Sequence, residues 1–95
     1  MYYICKYYVI LLSASMPGQE KITPIEQYVI DFVRKLRTER RLTQGDIGNI
    51  IGASQVFIAN VESSNNRAKY NLSHINMLAD HFGFSPRDFL PEKAL

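Results

Sequence analysis

Ninety-five residues allow one small domain with a tail, and a formal charge of +2 excludes a strongly basic field, so any nucleic-acid binding must come from positive residues gathered on one face. A single cysteine, Cys5, excludes an intrachain disulfide and a cysteine-rich zinc site. His74 and His81 have no cysteine nearby and are expected as exposed or capping residues, so no metal site is expected. There is no paired-carboxylate, Cys/His or phosphate-loop constellation, so no catalytic residue, small-molecule substrate or cofactor is expected either.

Residues 1–22 read as an apolar N-terminal extension and linker. Tyr2 to Leu12 is almost wholly apolar and aromatic, broken only by Lys6. Its Tyr, Ile and Val give strand propensity, but both alternating faces are apolar. The run is too short to cross a membrane as a helix, which needs about 20 apolar residues. Three readings stay open. Ser13-Ala14-Ser15 offers the small residues of a secretory cleavage site, although the positive start is weak. The stretch can instead be an arm that pairs with a partner chain. The preferred reading is that translation begins at Met16. A cytoplasmic protein without membrane attachment is expected.

Thr23-Pro24-Ile25-Glu26 is a helix start, with a capping threonine, proline at the first helical position and glutamate to complete the capping box. The spacing predicts helix 1 to about Arg40, with Ile25, Val29, Phe32, Val33 and Leu36 on its buried face. Arg34, Lys35, Arg37, Arg40 and Arg41 crowd its C-terminal end, where the helix dipole favours cations whatever else they do.

Thr43 with Asp46 starts helix 2 in the same way. Ile47, Ile50 and Ile51 lie on one helical face, and Ile58 and Val61 give a second helix a similar stripe. Gly45 and Gly48 each cost about 1 kcal/mol against alanine in a helix interior, so helix 2 should be weak alone. Gly52 can end it in a left-handed conformation, and Ser54 caps helix 3, expected through about Ser63. Two helices joined by a short glycine-containing turn form the helix-turn-helix signature. Gln55, Val56, Ala59 and Asn60 should face outward, with Phe57 at the boundary. So little charge on an exposed face suits base reading in a major groove.

Residues 63 to 70 read as a polar loop that carries Arg67 and Lys69. Asn71 or Ser73 starts helix 4, with Ile75, Leu78, Ala79 and Phe82 on one face and Gly83 as the stop. Ser85-Pro86-Arg87-Asp88 predicts a short fifth helix; Phe84, Phe89 and Leu90 close the core, and Pro91 ends it.

Leu42-Thr43-Gln44, Gly48, Gly52, Ser54, Phe57, Ile58, Val61 and Glu62 together resemble the phage-repressor-like (XRE) helix-turn-helix DNA-binding family in residue type, spacing and order. The resemblance runs from about Ile25 to Leu90. It implies an all-α, five-helix repressor-like domain over residues 23–91, followed by a tail of residues 92–95. It implies a sequence-specific transcriptional regulator that binds double-stranded DNA as a homodimer through helix 5 and the tail; the apolar arm is a rival dimer surface. The candidate DNA-binding residues are Gln44, Ser54, Gln55, Val56, Ala59, Asn60, Arg67 and Lys69. Among them Gln55 reads a base and Gln44 anchors the backbone and braces Gln55. Val56 and Ala59 meet thymine methyls. The family's small residue in helix 2, here Gly48, would let helix 3 approach. In related repressors the glutamate matching Glu62 pairs with an arginine of helix 1, which implies Arg37 here. Two rival readings stay open: an antitoxin-type regulator that also binds a protein partner, and a protein-interaction adapter without DNA contact.

Overall fold

The computed structural model describes residues 22–63 and 67–95, and these residues are all-α. Four α-helices run in order: α1 (Pro24–Glu39), α2 (Gln44–Ile51), α3 (Gln55–Glu62) and α4 (Leu72–Phe82). The readings made for the apolar extension, for its linker up to Lys21 and for loop positions 64–66 lie outside the described residues. Among the described residues no helix is long and apolar enough to cross a membrane.

The fifth expected helix is a four-residue 3-10 segment, Pro86–Phe89. Leu90 is already extended at ψ 153°, so the segment is too short for i to i−4 hydrogen bonds to propagate. It closes instead with Asp88 N–H on the Ser85 carbonyl at 2.9 Å and Leu90 N–H on the Arg87 carbonyl at 3.1 Å.

Each α-helix begins at a side chain that captures a free backbone N–H. Thr23, Thr43 and Asn71 form reciprocal capping boxes with Glu26, Asp46 and His74, and Ser54 Oγ accepts from Phe57 N–H at 3.1 Å. Three helices end on a left-handed residue. For α2 and α4 it is Gly52 and Gly83; for α1 it is Arg41, at φ 57°. A side chain in that region costs about 1–2 kcal/mol.

The core joins all four helices and the 3-10 segment. Val29, Ile30, Val33 and Leu36 enter it from α1, Ile47 and Ile51 from α2, Ile58 and Val61 from α3, and Ile75, Leu78 and Ala79 from α4, with Phe89 closing it. Two expectations change. Ile25 lies in the open first turn of α1 and is exposed, whereas Ile30 takes a core position beside Val29 and Val33. Tyr70, at the end of the polar loop, is also a core residue. Phe32, Phe82, Phe84 and Leu90 are partly buried against this cluster. α2 packs on both α3 and α4, while α1 packs on α3 and on the 3-10 segment.

Candidate nucleic-acid interface

The candidate surface is built from α2, the turn at 52–54 and the first turn of α3. Thr43 fixes where α2 starts: its Oγ1 accepts from Asp46 N–H at 3.0 Å, and its own N–H donates to Asp46 Oδ2 at 2.8 Å. At the other end Gly52 turns left-handed, and Ala53 N–H returns to the Gly48 carbonyl at 2.8 Å. The turn therefore lies back on α2. A Cβ on Gly48 would stand 2.7 Å from the Ala53 carbonyl oxygen and 3.3 Å from Ser54 backbone atoms. Gly48 makes room for the turn backbone, rather than for the body of α3. Gly45 has no such neighbour, since its Cβ would meet only Thr43 Oγ1, at 3.6 Å.

Ile58 and Val61 hold α3 in the core. Ser54, Gln55 and Val56 are left exposed, Val56 at 67%. Ala59, Asn60 and Phe57 are half-buried, so the freely accessible face is narrower than the four outward positions expected. It is concentrated in the first turn of α3 and is uncharged.

The last residue of α3 is fixed by a polar cluster. Arg37 Nε–H and Nη2–H donate to the two Glu62 carboxylate oxygens, each at 2.9 Å, in a bidentate pair. A third Arg37 donor, Nη1–H, reaches the Leu42 carbonyl at 3.1 Å, and Gln44 Nε2–H donates to Glu62 Oε1 at 3.1 Å. The Glu62 side chain is 5% exposed and that of Arg37 16%. One carboxylate thereby ties α3 to both α1 and the start of α2. Removing one partner from a buried pair of this kind costs about 3–5 kcal/mol, because the other charge is stranded. Gln44 braces Glu62 through this bond, and no bond from Gln44 to Gln55 forms among the described residues.

The cations divide unevenly. Lys69 Nζ lies 2.7 Å from Glu26 Oε2, at the first turn of α1. Burial pushes the Glu26 carboxyl up, but hydrogen bonds from Lys69 and Thr23 outweigh it and hold the group below its ordinary value. Arg40 stacks on aromatic rings, its guanidinium 5.4 Å from the Phe82 centroid and 5.8 Å from that of Phe84. Arg67 and Arg41 are exposed.

Behind α3, Phe57 meets His74 and Tyr70 edge-on, with ring centroids 5.5 and 6.4 Å away. His74 Nδ1 accepts from Asn71 N–H at 3.2 Å, which uses the lone pair of the neutral ring, and burial holds its pKa below the ordinary 6.5. Burial, with the Glu62 charge adding to it, pushes the Tyr70 hydroxyl far above its ordinary value. That hydroxyl is buried without a hydrogen-bond partner among the described residues.

Chemically, this surface offers an amide and a branched apolar side chain on an exposed helix start, backed by the Glu62 cluster. Two features of this surface have no signature in the sequence. The Leu42 carbonyl is a main-chain acceptor with no residue signature. The left-handed Arg41 has none either, because arginine does not favour that conformation. Comparison of the chain with protein-family models, curated proteins and solved structures found no match.

Proposed function

We propose that this chain is a sequence-specific, DNA-binding transcriptional regulator of the phage-repressor-like (XRE) helix-turn-helix kind, acting in the cytoplasm as a binding module rather than an enzyme. One observation carries the reading: the first turn of α3 presents Gln55 and Val56 to solvent, without charge, on a helix whose far end is locked to α1 and α2 through Glu62. A helix reads base edges in the major groove with its N-terminal residues, and it must be held rigidly to do so.

In this reading the Gln55 amide donates to and accepts from the adenine edge, with about 1–3 kcal/mol of discrimination. Val56 touches a thymine methyl. Ala59 and Asn60, half-buried, contribute at the margin. The N-termini of α2 and α3, at Gln44 and Ser54, face phosphates with free backbone N–H groups. Arg67 and Lys69 lie at the margin of the contact, the charge of Lys69 partly offset by Glu26. A single module of this size covers little DNA, so the active species is a homodimer on paired half-sites.

The rival reading is a protein-interaction adapter. The Lys69–Glu26 pair favours it, since that cation is already engaged. Selection of the full chain against a random duplex pool separates the two. The regulator enriches a paired motif and loses affinity steeply as salt rises, whereas the adapter enriches nothing.

A further inference from the structure

One backbone device closes α1, α2 and α4. After each helix a residue turns left-handed, and the next N–H returns to a carbonyl of the last turn. Gly52 and Gly83 serve α2 and α4 at φ 70° and 74°. For α1 the residue is Arg41, at φ 57°; Arg41 N–H bonds the Thr38 carbonyl at 3.1 Å and Leu42 N–H the Arg37 carbonyl at 2.9 Å. Glycine would close α1 with less strain.

Those backbone bonds would form equally with glycine at this position, and the Arg41 side chain adds nothing to them among the described residues. The Arg41 side chain is exposed and makes no hydrogen bond, ion pair or ring contact among the described residues. Its neighbours differ. Arg37 is committed to Glu62 and Leu42, and Arg40 to Phe82 and Phe84. An unpartnered guanidinium on strained backbone points to a ligand outside the chain.

We infer that Arg41 contacts a backbone phosphate of the duplex that α3 reads, an inference that rests on the DNA-binding reading above. Arg41 precedes Gln44 by three residues, at most about 11 Å of chain. Its guanidinium and the first N–H groups of α2 therefore serve neighbouring phosphates. The bond from Arg37 to the Leu42 carbonyl pins the residue that follows Arg41. The charge is thus delivered from backbone tied to the same Glu62 that fixes α3. The left-handed turn fixes the backbone from which the side chain leaves, and glycine there would relieve the strain but bring no charge.

The test compares the full-length chain with Arg41→Gly and Arg41→Lys, by thermal melting and by salt titration of binding to a selected duplex and a random-sequence duplex. Arg41→Gly should melt a few degrees higher. It should bind both duplexes roughly five- to tenfold more weakly near 0.1 M salt, with the salt slope reduced by about one. Arg41→Lys should keep the slope and melt like the parent. Unchanged affinity and slope in Arg41→Gly would overturn the phosphate contact and leave the DNA reading standing. A lower melting temperature for Arg41→Gly would show that the side chain works within the fold, and would overturn it too. If the parent binds neither duplex, the DNA reading itself falls, and this contact with it.

Discussion

α1 is joined to its neighbours by two kinds of contact. Towards α3 and the start of α2 there is a polar, directional joint: two Arg37 donors on the Glu62 carboxylate, a third on the Leu42 carbonyl, and the Gln44 amide on Glu62, each within 3.1 Å of its partner. Towards the 3-10 segment it is aromatic: the Phe89 ring centroid lies 4.8 Å from that of Phe32 and 6.2 Å from that of Phe84. The aromatic joint fills volume and tolerates small rotations. The polar joint accepts one geometry, because a bidentate pair fails when either plane turns. The element placed by the polar joint is the one that presents Gln55. Packing stabilises both sides of α1, and on the α3 side hydrogen bonds also set an orientation.

The largest effects should come from breaking each joint. Phe89→Ala and Arg37→Ala are each expected to cost about 3–5 kcal/mol, the first through a cavity and the second through a stranded carboxylate. They should separate on rescue in denaturant titrations. Adding Glu62→Leu to Arg37→Met should recover most of the stability, since apolar residues of similar volume replace a buried pair well. DNA affinity should stay low in that double variant, because the orientation of α3 is no longer specified. Full recovery of affinity would show that the polar joint sets nothing the packing does not.

The two glycines of α2 sharpen the same contrast at smaller scale. Gly48→Ala should lose about 1–3 kcal/mol, because its Cβ meets the Ala53 carbonyl, which cannot move without shifting the turn. Gly45→Ala should gain up to about 1 kcal/mol, since nothing obstructs it. Thermal melting of both variants checks the pair, and equal effects would contradict the assigned role of the turn.

Acid should loosen the support behind α3. His74 binds a proton less readily folded than unfolded, so its contribution to stability is complete above about pH 6.5 and is lost as the pH falls through its lower folded value. Between about pH 7.5 and pH 5 the parent should lose melting temperature faster than His74→Gln. The smallest effect expected is for Tyr70→Phe. Removing a buried hydroxyl without a partner should leave stability unchanged or raise it by about 1 kcal/mol in urea titration.

Much of this arrangement was legible in the chain because its signals are local. Thr23, Thr43 and Ser54 mark helix starts through hydrogen bonds made within three residues, Asn71 does so as one of two candidates beside Ser73, and Gly52 and Gly83 mark stops through backbone freedom. What was not legible depends on partners far along the chain or on the absence of a favourable residue. Tyr70 follows a polar run, and only the assembled core shows that it is buried. Lys69 finds Glu26 across the fold. Ala59 and Asn60 have an outward helical phase, yet neighbouring structure half-covers them. Arg41 reads as one more cation at a helix end, and its left-handed backbone is visible only in the closed turn.

The central claim is that α3 reads sequence through Gln55. The most direct measurement selects duplexes from a random pool with the parent chain, then repeats the selection with Gln55→Ala. The parent should yield a paired motif, and Gln55→Ala the same spacing with preference relaxed at one base position of each half-site. An identical motif from both, or none from either, would contradict it.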